Sequence, residues 1–276
     1  MRRIVATKNL KSELLGEFMG TFILTFLGTA SVAVAVLFGE YGSIFQIGIV
    51  WGLAVTLAIY LTRHICPAHL NPAVSVAMVV ARRMSARKLL LYILAQLLGA
   101  FAAGFMLYAL FSPSIQAYEA AHDILRGSAA SIDTARMFGE FYPNPGDGMA
   151  TVSLPLAMLA EGFGTFLLVL FIFAMTEDCN AGRPSSTLQP LFIGLTVSSI
   201  IFFVAPLTQA GLNPARDLGP RLVAYLMGWG SAALPDAVGG WFWVYILAPV
   251  LGGIVASLFF CRLLEPAMKQ QNTTNV

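Results

Sequence analysis

Leu70-Asn71-Pro72-Ala73 recurs as Leu212-Asn213-Pro214-Ala215, 142 residues further along the chain. Asn is among the best helix N-caps and Pro is favoured at the first helical position, so each string announces a helix start. From Pro72 the apolar run reaches only Ala81 before Arg82-Arg83 interrupts it. Ten residues at 1.5 Å rise make about 15 Å, half of a hydrocarbon core of about 30 Å. The run from Pro214 to about Met227 has a similar reach. One such string would mean a helix start and nothing more; two in matched surroundings point to a duplicated unit.

A second pair of strings carries the same message. Glu17-Phe18-Met19-Gly20-Thr21-Phe22 returns as Glu161-Gly162-Phe163-Gly164-Thr165-Phe166, an offset of 144. The chain around them has 276 residues, 58% hydrophobic and 11% charged, with a mean hydropathy of +0.77. A soluble domain is about 45–50% apolar and roughly 25% charged, so an ordinary soluble globule and a disordered chain are both excluded. A net charge of +2 without a long basic cluster excludes nucleic acid as a partner. The solvent is a lipid bilayer. Apolar stretches at roughly 14–37, 44–62, 89–111, 152–176, 187–207 and 241–264 are long enough to span it.

The expected fold is an all-α membrane protein, one channel domain over 1–276, with six transmembrane helices and two re-entrant half-helices. Repeat one covers about 12–111, an outer loop about 112–150, repeat two about 151–264, and a tail 265–276. Three spans per repeat force the second repeat to enter from the opposite face. That is an inverted-topology repeat, in which substrate passes at the repeat interface near the midplane.

Every Lys and Arg except Arg126, Arg136, Arg216 and Arg221 falls on one side of this arrangement, including Arg2, Arg3, Lys8, Arg63, Arg183 and Lys269. The positive-inside rule makes that side the cytoplasm and puts both termini there. The long loop, with Glu119, Asp123, Asp133, Glu140 and Asp147, then lies outside. The first apolar run is longer than the core of a signal peptide, so it is expected to be a retained helix. Cys66, Cys179 and Cys261, like His64, His69 and His122, lack the spacing of a disulfide framework or metal site. No catalytic dyad, phosphate loop or cofactor motif is present, which predicts neither an enzyme nor a bound cofactor.

Inverted symmetry brings the two half-helix N-termini together at mid-membrane, where their partial positive charges repel protons and cations. The Asn71 and Asn213 amides are placed to donate to a passing hydroxyl. Glu17 and Glu161 are acids inside apolar helices, and two roles are open to them. They could relay protons, as in a proton-coupled transporter, or hold the backbone N–H groups of the re-entrant loops; their symmetric placement favours the second. The pairs Gly16/Gly20, Ala160/Gly164, Gly48/Gly52 and Gly252/Ala256 predict close helix packing.

These motifs resemble the aquaporin (major intrinsic protein) family, and within it the bacterial glycerol uptake facilitators, over nearly the whole chain. The strings that carry the resemblance are His69-Leu70-Asn71-Pro72-Ala73-Val74, Gly211 to Arg221 with Asp217 after Arg216, and Tyr142-Pro143-Asn144-Pro145 in the loop. The resemblance implies a homotetramer with one pore per subunit, passing glycerol and related polyols with some water. It places a selectivity filter on Trp51, Ile201, Ala210 and Arg216. It implies a polar track built from the backbone carbonyls of Pro67, Ala68, His69, Leu70, Gln209, Ala210 and Gly211, and Asp217 as structural support. A bacterial inner membrane is the implied location. Four positions depart from the facilitators: Ile201 and Ala210 stand where Gly and Phe are usual, Pro67 where Gly is common, and Tyr245 where Pro is. The filter set is similar to that of nodulin-related plant channels, which keeps urea and metalloid hydroxides (arsenite, antimonite, boric acid) as alternative solutes.

Overall fold

The computed structural model describes residues 9–41, 43–145, 151–235 and 239–274. Arg2, Arg3, Lys8 and Asp147, used above to orient the chain, lie outside the described residues. Repeat one comprises α1 (Leu10–Phe38), α2 (Ile44–Thr62), the short α3 (Pro72–Val80) and α4 (Ala86–Ala121). A loop containing the one-turn α5 (Ile132–Ala135) leads to repeat two: α6 (Leu154–Thr176), α7 (Gln189–Thr208), the short α8 (Pro214–Ala224) and a last span, Gly240–Gln271. Six of these helices are long and apolar enough to cross a membrane. The face bearing the loop between α4 and α6 is called outer below.

Two helices outrun their apolar stretches. The third span was expected to end near 111, but α4 continues to Ala121, so the connecting loop begins about ten residues later than expected. Hydropathy reports contact with lipid, whereas Ala117, Glu119, Ala120 and Ala121 are helix formers that need none. Glu119 then anchors the loop, accepting from Arg126 at 2.7 Å and from the Thr134 hydroxyl at 2.8 Å. Likewise the last span runs through residues expected to form a tail. The second half-helix runs from Pro214 through Ala224 into a π turn and breaks at Met227 and Gly228, which leave helical dihedrals, Gly228 with φ +104°, about where the sequence places its end.

The repeats interlock: α3 packs on the last span of repeat two, and α8 packs on α4 of repeat one. The contact between α2 and α7 shows the symmetry most directly. A Cβ on Gly52 would sit 2.6 Å from the Gly194 carbonyl, and one on Gly194 would sit 2.2 Å from the Gly52 carbonyl. Beside them the Ser198 hydroxyl donates to Gly48 O at 2.9 Å, and the Thr56 hydroxyl donates to Pro190 O at 3.3 Å. Gly48, Gly52 and Thr56 thus correspond to Pro190, Gly194 and Ser198 at the same offset of 142 as the Asn-Pro-Ala strings. Large apolar side chains such as Leu57, Leu98, Leu159, Leu195 and Leu251 point outward from the bundle. Water would oppose that arrangement; lipid accepts it.

Candidate functional site

The re-entrant loops repeat one backbone solution. Ala68 and Leu70 have φ of 55° and 52°, and Ala210 and Leu212 have φ of 66° and 55°. Non-glycine residues with left-handed backbones are costly and persist only where their surroundings over-determine them. Here a buried carboxylate does so in each repeat. Glu17 accepts from the backbone N–H of His69 at 2.9 Å and of Leu70 at 2.7 Å, and from the Gln96 amide at 2.8 Å. Glu161 accepts from the backbone N–H of Gly211 at 2.8 Å and of Leu212 at 2.7 Å, and from the Thr208 hydroxyl at 2.6 Å. Gly20 and Gly164 complete the pocket: a Cβ would lie 2.4 Å from the Leu70 side chain and 2.6 Å from that of Leu212.

Asn71 and Asn213 cap α3 and α8 as their sequence predicts. The Asn71 side-chain oxygen accepts from Ala73 N at 2.8 Å, and that of Asn213 from Ala215 N at 3.1 Å, with Pro72 and Pro214 opening the helices. Their amides also cross-brace the two loops. Asn71 Nδ2 donates to Leu212 O at 2.9 Å and Asn213 Nδ2 to Leu70 O at 2.8 Å. This refines the expected picture: one N–H of each amide is committed to the opposite repeat, and the Leu70 carbonyl, expected in the polar track, holds Asn213. Each amide keeps a second N–H, and both asparagines line the cavity beside them.

That cavity, about 350 Å³, has a mostly apolar wall that includes Leu24, Val74, Leu168 and Val197. Pro67, Ala68, His69, Leu70, Ala210 and Gly211 line it from the loops. A second cavity of about 290 Å³ opens outward, and Gln209 faces this one rather than the first. Trp51 and Ile201 line both, so they stand where the two meet. Trp51 fits because Gly28 lies behind it: a Cβ there would be 2.2 Å from the indole. The Arg216 guanidinium stacks over the Trp51 ring, 3.9 Å from its centroid, and Nη2 reaches Ala210 O at 3.4 Å. The four expected filter residues all line the first cavity, with Arg216 touching both Trp51 and Ala210.

The residues following Arg216 build its support. Asp217 and Arg221, both fully buried, pair at 2.7 Å. A further contact was not foreseen: Glu140, from the outer loop, forms a buried ion pair with Arg216. Nothing near Glu140 in sequence marks it, since it reads as one of several loop acids. Tyr245 is buried behind the second re-entrant loop and donates to Thr208 O at 3.1 Å. Among the described residues no group of His, Cys, Asp and Glu is arranged to hold a metal.

A family model described as "Major intrinsic protein" matches residues 4–260. The chain belongs to the major intrinsic protein family. Curated relatives within it include a "Glycerol uptake facilitator protein" of Pseudomonas aeruginosa, 40% identical over 93% of this chain and 90% of the relative. Another of the same name, from Escherichia coli, is 37% identical over 94% and 90%. A "Propanediol uptake facilitator" of Citrobacter freundii is 37% identical over 93% of each. Among solved structures, the aquaglyceroporin from Plasmodium falciparum superposes with a TM-score of 0.82 at 27% identity, covering 95% of this chain and all of that one. The aquaporin fold expected from the sequence is thereby established, and the relatives are channels and facilitators rather than enzymes. The buried ion pairs Arg216–Glu140 and Asp217–Arg221 lie beside the second half-helix, and Arg63 and Arg83 line the first cavity.

Proposed function

We propose that the chain is a passive channel for small uncharged solutes, glycerol and related polyols first among them, with some water. The observation that carries this is the junction of two cross-braced half-helices opening onto an apolar-walled cavity narrowed by Trp51, Ile201 and Arg216. A polyol meets each side with matching chemistry. Its carbon edge slides along Trp51 and Ile201, and its hydroxyls exchange water for the carbonyls of Pro67, Ala68, His69 and Gly211, the free asparagine N–H groups and the Arg216 donors. Irregular backbone at membrane depth is tolerated because passing hydroxyls satisfy its carbonyls in turn.

Glu17 and Glu161 support this reading against a proton-coupled transporter. Both carboxylates are filled by backbone and side-chain donors, so their role is to hold the loops. The curated relatives named for glycerol and propanediol uptake support the polyol class. The Ile201 and Ala210 pair favours a second reading at the level of substrate, in which compact solutes such as urea or metalloid hydroxides compete with glycerol. We assign the protein to a bacterial inner membrane as a homotetramer with both termini cytoplasmic.

Stopped-flow light scattering on proteoliposomes with glycerol, propanediol, urea and boric acid tests the assignment. Glycerol and propanediol should enter fastest; vesicles that admit none of the panel faster than protein-free lipid would refute it.

A further inference from the structure

Glu140 does not stand out among the loop acids, yet its setting is closely built. Its backbone N–H donates to Asp217 Oδ1 at 2.8 Å, and its carbonyl accepts from Arg221 Nη2 at 2.6 Å. The preceding Gly139 lies flat on the same guanidinium: a Cβ there would fall 2.8 Å from Arg221 Cζ. The next N–H, of Phe141, donates to Gln209 Oε1 at 2.8 Å, and Asn144 Nδ2 donates to Ala205 O at 2.9 Å. The loop is thus clamped on both sides, with the Glu140 side chain delivered to Arg216 and edging the outer cavity. Both side chains are about one-twentieth exposed.

A guanidinium in a narrow, poorly hydrated passage acts as a positive barrier through its net charge. Paired with a carboxylate at contact distance, it presents a dipole, whose field falls off faster. From this pairing we infer that Glu140 is a fifth, specificity-determining side chain of the outer constriction. It cancels the charge of Arg216 and holds its guanidinium on Trp51, so the constriction sorts solutes by shape and hydrogen bonding. Rejection of cations then rests with the two half-helix N-termini at the asparagine pair. Deleting Arg216 alone would therefore leave an unpaired carboxylate at the neck, which attracts the cations that the arginine is usually credited with excluding.

The inference rests on the channel reading above, and one set of vesicles separates the two. Unaltered protein, Arg216→Ala, Arg216→Ala with Glu140→Gln, and Glu140→Gln are reconstituted side by side. Influx of methylammonium, nitrate and glycerol is measured, each normalised to the amount of protein inserted in the vesicles. Arg216→Ala should admit methylammonium about tenfold faster than the unaltered channel, a change that one favourable charge contact readily produces, and the double variant should lose most of that gain. Glu140→Gln, which leaves the guanidinium uncompensated, should admit nitrate about fivefold faster. A merely structural Glu140 would not move cation and anion influx in opposite directions. A double variant as leaky to methylammonium as Arg216→Ala overturns the inference. If the Arg216 variants fail to fold, nitrate influx through Glu140→Gln at the unaltered level overturns it instead. Absence of glycerol influx through the unaltered protein refutes the channel reading itself.

Discussion

The two re-entrant loops are close in backbone and opposites in chemistry. Each is held by one buried glutamate, roomed by one glycine, bent by two matched left-handed residues and capped by one asparagine, and Gln209, at φ 62°, adds a third left-handed residue where the first loop has Pro67. Past the asparagine the likeness ends. At the offset of 142, Arg216 corresponds to Val74, Asp217 to Ser75 and Arg221 to Val79. The other filter residues have counterparts as well: Trp51 corresponds to Ile193, Ile201 to Ile59 and Ala210 to Ala68, all of which line the inner cavity. Even Gly28, which makes room for Trp51, corresponds at the α1 offset of 144 to Ile172, since Ile193 needs no such room. The repeats share the junction and differ at the positions proposed as the filter. On that proposal selection falls to the outer half, while the inner cavity has a mostly apolar wall with Arg63 and Arg83 among its lining.

If the shared elements hold the fold, the largest effects should come from the two glutamates, and they should be alike. Glu17→Gln and Glu161→Gln each replace a charge-assisted acceptor of several donors by an amide with one oxygen. Each should cost about 3 kcal/mol, because hydrogen bonds to a charged group contribute roughly 1.5–3 kcal/mol apiece. The yield of monodisperse protein in detergent and its thermal midpoint would read this out. A variant that stays fully folded and loses only a proton-driven flux would break the comparison and restore the transporter reading.

Arg216→Val would make the outer half a chemical copy of the inner one. The neck should widen, and influx of a four-carbon polyol relative to glycerol should rise about tenfold, the effect of removing a steric barrier of roughly 1.4 kcal/mol. Vesicle shrinkage and re-swelling assays on matched protein amounts measure the ratio, and an unchanged ratio would mean that Arg216 does not set the width.

Gly28→Ala presses on Trp51 from behind, so it should drive the indole into the passage or unseat it. Overpacking of this kind typically costs about 1–3 kcal/mol, and glycerol influx should fall by about fivefold. Ile172→Val, the comparable small change at the inner counterpart, removes one methylene and should leave glycerol influx within about twofold. Equal losses in the two variants would show that the halves are not functionally distinct.

The smallest expected effect concerns the choice among solutes. Ile201→Gly combined with Ala210→Phe moves bulk from one wall to another, and should raise glycerol influx relative to boric acid. Each single change should act differently, and the pair non-additively, because the side chains share one neck. An unchanged ratio in the double variant would remove Ile201 and Ala210 from the filter.

How far these features were readable from the sequence depends on how locally each is encoded. The half-helices were legible because Asn and Pro act on the adjacent residues, and the paired glutamates because their six-residue surroundings recur as strings. The symmetry of α2 and α7 was not, since Gly48 corresponds to Pro190 and Thr56 to Ser198, equivalent in packing but different in letters. The asparagine cross-brace needs both loops in place, joining positions 141 and 143 residues apart. Glu140 meets Arg216 across 76 residues, through a loop whose course depends on Asp217, Arg221 and Gln209. Loop acids ordinarily face water, so composition alone gave no reason to single this one out.

The central claim is uncoupled passage of an uncharged polyol through a fixed pore. The most direct measurement is the initial rate of glycerol entry into proteoliposomes as the glycerol gradient is raised, with and without an imposed pH difference. The account predicts a rate that rises in proportion to the gradient and is the same with the pH difference in either direction. A rate that saturates, and that follows the direction of the proton gradient, would contradict it.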